Sequence, residues 1–241
     1  MSGHSKWKNI LHKKGKTDAQ RAKIFTKLSR EIIVAVREGG GDLSANSRLK
    51  DVIAKARAAN VPNDNIQRVI QRASGSGDSS NYESITYEGY GPRGIAVIVE
   101  TLTDNRNRTA SEMRHYFDKF GGNLGATGCV SWSFDKKGVI AIEREGRGED
   151  EVMMAALDCG AADFEALDDV FEVTTEPDDF SVVADALSAM GYSFLSAQVE
   201  MAPQNYIALS NEEDVKNMQK LLDMLEDNDD VQNVWHNWEE S

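Results

Sequence analysis

Ser74-Gly-Ser-Gly-Asp-Ser-Ser-Asn81 divides the chain into two parts of unlike composition. A run of this kind has nothing to bury and reads as a flexible connector. On its N-terminal side, residues 1–75 hold sixteen Lys and Arg against six Asp and Glu, a net charge of +10. The remaining 166 residues hold eleven against thirty-four, a net of −23. The whole-chain value of −13 therefore hides a basic segment joined to an acidic body, an asymmetry that points to a nucleic-acid or membrane-facing segment.

Upstream of the connector the apolar residues recur at helical spacing. Phe25, Leu28, Ile32, Ala35 and Val36 fall on one side of a helix over 19–37, and Lys23, Lys27, Arg30 and Arg37 on the other. Gly39-Gly-Gly-Asp42 stops that helix, since glycine takes the left-handed cap conformation at little cost. A second helix over 47–58 buries Leu49, Val52, Ile53 and Ala56. A third, starting near Pro62 or Asn63, buries Ile66, Val69, Ile70 and Ala73. Three short helices with one apolar face each make a small bundle.

Downstream the period changes to two. Strands are expected over 84–88 and 95–101, joined by the turn Gly89-Tyr-Gly-Pro-Arg-Gly94, and then a helix over 107–120 with Thr109 and Glu112 spaced as a capping box. A glycine-rich loop, 121–128, leads to a strand over 130–134. Residues 138–201 read as βαββαβ, the order of a ferredoxin-like unit. The last strand, helix and strand, from Tyr206 to Trp235, are too small to bury a sheet face alone. The economical arrangement is multidomain, α and α+β: a basic helical domain 1–77, a discontinuous α+β domain of 82–134 plus 204–241, and a ferredoxin-like α+β domain 135–203 inserted within it.

Lys6, Trp7, Lys8, His12, Lys13, Lys14 and Lys16 crowd together with no acid among them. Like charges at that density repel, so this arm, continuous with the Lys23, Lys27 and Arg30 face, is expected to contact phosphates, with Trp7 able to stack on an exposed base. No recognition-helix signature, zinc finger or aromatic RNA-binding strand pair is visible, so backbone recognition should precede sequence reading. A secondary contact is expected at Asn105, Arg106, Asn107 and Arg108, between a strand and a helix where orphan N–H groups favour anions. The competing reading of that segment is an ordinary cap, with its arginines paired to Glu residues.

Other chemistries find no support. Gly89 to Gly94 matches the dinucleotide fingerprint in letters, but a strand follows where the pyrophosphate-binding helix is required. The 121–128 loop lacks the Gly-Lys-Ser/Thr ending of a P-loop. The acidic run Glu226-Asp-Asn-Asp-Asp230 lacks a calcium loop's ligand pattern and is expected to be a solvated turn. Four histidines show no metal spacing, and Cys129 and Cys159 are expected as small buried hydrophobes. No cofactor, metal site, small-molecule substrate or catalytic constellation is expected. With no apolar run near the ~18 residues of a spanning helix and no secretory h-region, neither is a membrane partner, and the cytoplasm is the expected location.

The ordered set Gly3-His-Ser-Lys-Trp7, His12-Lys-Lys14, Arg21-Ala-Lys-Ile-Phe-Thr-Lys27, Gly39-Gly-Gly-Asp42 and Asn46-Ser-Arg-Leu49 resembles the start of YebC-family proteins. Tyr87-Glu-Gly-Tyr-Gly-Pro92, Thr103-Asp-Asn-Arg-Asn-Arg-Thr109, Gly121-Gly-Asn-Leu-Gly125, Leu225-Glu-Asp and Asp229-Asp-Val-Gln232 extend the resemblance over essentially the whole chain. Departures are few: Val61-Pro-Asn-Asp64 stands for a commoner Met-Pro-Lys-Asp, Cys159-Gly-Ala-Ala-Asp163 for Ala-Gly-Ala-Glu-Asp, and Trp235 for Tyr. The resemblance implies a helical domain followed by two α+β domains, one inserted in the other, and a non-catalytic role. Family members are commonly described as promoter-binding transcriptional regulators. The family also includes a mitochondrial translational activator and members linked to ribosomes stalled on proline-rich stretches.

Two functions follow as expectations. The first is a ribosome-associated translation factor that relieves stalling, its basic domain on rRNA or tRNA and its acidic domains facing ribosomal proteins. The alternative is a transcriptional regulator gripping promoter DNA. The absence of a recognition-helix signature tips the sequence toward the ribosome.

Overall fold

The structure is a computed structural model that describes residues 18–75 and 81–239. The chain folds into two compact units. One contains residues 18–75, 81–132 and 209–238, the other Ser133–Ala208 together with Glu239.

In the first unit, helix α1 (Asp18–Gly39) buries Leu28, Ile32, Ile33, Ala35 and Val36 against α2 (Ser47–Ala58) and α3 (Asn63–Ser74). It ends where Gly40, at φ 81, returns its N–H to the Val36 carbonyl at 2.7 Å. Buried Asn46 joins the next helix to this end. Its Oδ1 accepts from the Leu49 N–H as an N-cap, while its Nδ2 donates to the Ala35 and Gly40 carbonyls at 2.8 and 2.7 Å. Gly39 must lack a side chain, because a Cβ there would lie 2.6 Å from Asn46 Nδ2.

The same unit holds an antiparallel sheet of order β3-β1-β2-β9, with β1 Glu83–Tyr90, β2 Ala96–Thr103, β3 Asn123–Leu124 and β9 Val231–His236. Glu83 pairs with Thr103 and Tyr90 with Ala96, so the expected hairpin forms. Its turn is a 3₁₀ segment, Pro92–Gly94, in which Arg93 and Gly94 take positive φ. Helix α4 (Arg106–Lys119) buries Met113 and Phe117, and α7 (Glu212–Asp227) buries Met218, Leu221, Leu222 and Leu225. Phe117 reaches Gly89 and Met218 reaches Gly91, which places both helices over the hairpin end.

The expected strand over 130–134 does not form. Residues Ser131–Ser133 make a 3₁₀ turn, because the Gly128, Val130 and Ser131 N–H groups are taken by the buried Glu88 carboxylate at 2.8, 2.9 and 2.9 Å. Burial opposes ionisation of Glu88, but these donors outweigh it and hold its pKa below the usual carboxylate value.

In the second unit, the elements run β4 (Phe134–Glu143), α5 (Glu149–Asp158), β5 (Asp163–Ala166), β6 (Val170–Thr175), α6 (Phe180–Ala189), β7 (Phe194–Pro203) and the two-residue strand β8 (Ile207–Ala208). The main sheet is antiparallel, of order β5-β6-β4-β7. Ile140, Ile142, Phe171 and Val173 meet Val152, Ala156, Val183 and Leu187 from the two helices. Val139, Ala141, Leu167 and Val170 form a smaller cluster. Strand alternation explains the division, since neighbours along a strand point to opposite faces. Cys129 and Cys159 are free thiols of intermediate exposure rather than fully buried.

Candidate nucleic-acid interface

The expected basic face of α1 is largely occupied by the protein itself. Lys23 pairs with the Asp227 carboxylate, and Lys27 donates to the Glu226 carbonyl at 2.7 Å. Arg30 donates to the Asp229 carbonyl at 2.7 Å and to Asp230 Oδ1 at 2.6 Å, with its guanidinium 5.5 Å from the Tyr82 ring centre. The acidic run expected as a solvated turn is instead the counter-surface of α1. It spans the C-terminal end of α7 and the residues just after it, where Lys23, Lys27 and Arg30 of α1 supply donors to its carbonyls and carboxylates. Lys27 loses enough water there that burial pulls its pKa below the ordinary lysine value, against the opposing pull of Glu226, Asp229 and Asp227.

Asp230 is the centre of this junction, with its side chain only 4% exposed. Oδ1 takes Arg30. Oδ2 takes Arg108 at 2.7 Å, Thr109 at 2.8 Å and Thr103 at 3.0 Å. Its N–H donates to Asn228 Oδ1, and its carbonyl accepts from the Leu102 N–H. Burial favours the neutral acid, but the hydrogen bonds from Arg108, Thr109, Arg30 and Thr103 prevail and lower the Asp230 pKa.

The segment 104–109 is thereby explained. Asn105 is the N-cap of α4 and accepts from the Arg108 N–H at 3.1 Å, so the cap is not a Thr109–Glu112 box. Thr109 lies inside the helix, buried, with its hydroxyl on Thr103, Asp230 and the Asn105 carbonyl. Glu112 accepts from Asn228 Nδ2 at 2.8 Å. Arg108 pairs with Asp104 and Asp230, not with a glutamate. Arg106 and Asn107 are exposed on the first turn of α4.

Lys6, Trp7, Lys8, His12, Lys13, Lys14 and Lys16 lie outside the described residues. Residues 18–75 by themselves carry eleven Lys and Arg against six Asp and Glu. The remaining exposed basic groups of the bundle include Arg48, Lys50 and Arg57 on α2 and Arg68 and Arg72 on α3.

The polar side of α3, on which the sequence places Arg68 and Arg72 one turn apart, is not among the expected contacts. Ile66, Val69, Ile70 and Ala73 are buried, whereas Asp64, Gln67, Arg68, Gln71 and Arg72 are exposed, at spacings of three and four that define one face. The signal was present as the polar complement of the apolar period. Between α2 and α3, Asn60 takes φ 59, and the Val61 N–H closes onto the Ala56 carbonyl at 2.9 Å. Among the described residues, no group of three His, Cys, Asp or Glu could hold a metal ion, and no helix is long and apolar enough to cross a membrane.

The comparisons with known proteins agree with one another. Residues 5–76 match the family model described as TACO1/YebC protein N-terminal domain, and residues 82–238 match TACO1/YebC second and third domain. A "Probable transcriptional regulatory protein" of Acetivibrio thermocellus is 62% identical over 239 residues, covering 99% of both chains. One of Finegoldia magna is 59% identical with the same coverage. The crystal structure of a conserved hypothetical protein from Aquifex aeolicus superposes with a TM-score of 0.85 at 43% identity, covering 94% of this chain and 93% of that one.

Proposed function

Since the chain belongs to the TACO1/YebC family, we propose that it is a non-enzymatic, cytoplasmic regulator that binds promoter DNA through its basic N-terminal domain. The observation that carries this reading is the confinement of net positive charge to residues 1–75, at +10, on a chain that is otherwise strongly acidic. A polyanion is drawn to the one domain and repelled by the rest, which orients the encounter. The names of the similar proteins favour transcription. They favour it over the ribosomal reading toward which the sequence leans, and a ribosomal partner finds no support in them.

In this reading the arm of Lys6, Trp7, Lys8, His12, Lys13, Lys14 and Lys16 meets the phosphates first. Lys23, Lys27 and Arg30 join only if the acidic turn yields them, and Asn105 to Arg108 serve the α4 cap more than any ligand. We read three domains within the two compact units: the basic bundle 1–77, the discontinuous 82–134 plus 204–241, and the ferredoxin-like 135–203 inserted between. The β5-β6-β4-β7 order and two crossover helices support the last of these.

The test is fluorescence anisotropy of the full chain with duplex DNA over a range of salt. Binding that falls steeply with salt, and that Lys13→Glu with Lys14→Glu abolishes while the far-ultraviolet spectrum is retained, supports the proposal. No duplex binding at low salt, alongside co-sedimentation with ribosomes, would replace it with the ribosomal reading.

A further inference from the structure

Two twelve-residue helices, α2 and α3, are joined by the four residues 59–62 and both pack on α1, which is the connection length of a helix-turn-helix. The turn is well defined. Asn60 supplies the left-handed residue, Val61 is packed against the bundle core, and the Pro62 carbonyl accepts from the N–H groups of Asn65 and Ile66 at 3.0 and 3.2 Å. What α3 presents outward is distinctive in chemistry. Gln67, Arg68, Gln71 and Arg72 are two amides and two guanidiniums on one face, with Asp64 the acid at its start. Amides pair in two-point fashion with adenine and guanidiniums with guanine in the major groove, whereas a purely phosphate-binding face needs only positive charge. The other basic face of the bundle, on α1, is engaged by the turn 226–230. The exposed α3 face lies in a bundle whose described residues carry a five-charge excess of Lys and Arg, which draws a polyanion to it.

We propose that α3 is a DNA-reading helix, its Gln67, Arg68, Gln71 and Arg72 contacting base edges in the major groove of duplex DNA, with Lys50 and Arg57 of α2 contacting phosphates. The inference rests on the DNA-binding reading above and adds sequence discrimination to it. In this docking the second helix of the pair enters the groove and the first crosses the backbone, the arrangement that helix-turn-helix proteins use.

The experiment is selection from a pool of random-sequence duplexes by the full chain, repeated with Gln67→Ala/Gln71→Ala and with Arg68→Ala/Arg72→Ala. All four positions are exposed, and matched melting temperatures check that each variant is folded. The expected result is a sequence enriched by the parent chain, whose preference the glutamine variant loses. On that enriched duplex the arginine variant should bind roughly tenfold or more weakly. Duplex binding with no enriched sequence, or with enrichment and affinity unchanged in both variants, overturns the role of α3 and leaves the DNA-binding reading standing. Loss of A-form RNA binding with duplex DNA binding intact in the variants also overturns it, and points to RNA. Failure of the parent chain to bind any duplex sinks the inference together with the reading beneath it.

Discussion

Arg30 donates to Asp230 at 2.6 Å across two hundred positions of sequence, and through Asp230 it is linked to Arg108. One buried carboxylate thus holds a helix of the N-terminal bundle to the first helix of the following sheet domain. Removing either arginine leaves the other to neutralise the charge. Removing the carboxylate takes from two cations and two buried hydroxyls the one acceptor they share.

Asp230→Ala is therefore expected to cost about 3 kcal/mol, the scale for breaking a buried pair by deleting one partner. Urea unfolding of the full chain measures it. A loss below about 1 kcal/mol would mean that water replaces the carboxylate at no penalty.

The depressed pKa values of Asp230 and Glu88 set an acid limit on stability. In the unfolded chain these groups titrate near ~3.9 and ~4.3. A folded-state pKa below those values means that the unfolded state binds protons first. The stabilisation is thus complete above the unfolded pKa and is lost as pH falls through the folded one. Melting temperature should fall on acidification below about pH 4. Asp230→Asn should have a shallower acid slope than the parent, and parallel slopes would remove Asp230 from this role.

Asn46 satisfies an N-cap and two α1 carbonyls at once. Asn46→Ala is expected to lower stability by about 2 kcal/mol, a lost cap plus unsatisfied buried carbonyls. Asn46→Asp keeps the cap and loses the donor, so thermal melts should place it between the two. An aspartate variant no better than alanine would show that the carbonyl contacts, not the cap, dominate.

Gly122 has no room for a methyl group: an added Cβ would lie 2.3 Å from the Tyr90 carbonyl oxygen and 3.1 Å from Gly91 Cα, both backbone. Gly122→Ala must shift the hairpin end of the sheet and is expected to cost about 2 kcal/mol or more. Gly146→Ala is a useful contrast, with nothing within 4 Å of its Cβ but a φ of +76. Only the backbone conformation opposes it, for a smaller loss of about 1 kcal/mol. Equal effects in calorimetry would contradict the steric account of Gly122.

Helices and strands were legible because their determinants are local. The buried set Leu28, Ile32, Ala35 and Val36 repeats at the helical period, and β1 and β2 flank a Gly/Pro turn. The strand expected over 130–134 was misread for a non-local reason. Val130 has strand propensity, but the Glu88 carboxylate, forty-two positions away, claims its N–H. Thr109 looked like a cap for the same kind of reason: threonine favours caps, yet here its hydroxyl is spent on Thr103 and Asp230.

By itself, then, the amino-acid order determined the basic and acidic division of the chain, the helical bundle, the alternation of strands and helices beyond residue 81, and the family. All of these rest on composition and short periods along the chain. Only the tertiary structure decided which charged groups meet: that Glu226 to Asp230 cover Lys23, Lys27 and Arg30, and that the polar face of α3 stays exposed. Charge attraction has no sequence register. A lysine can pair with any carboxylate the fold brings near, so its partner is settled by packing rather than by spacing.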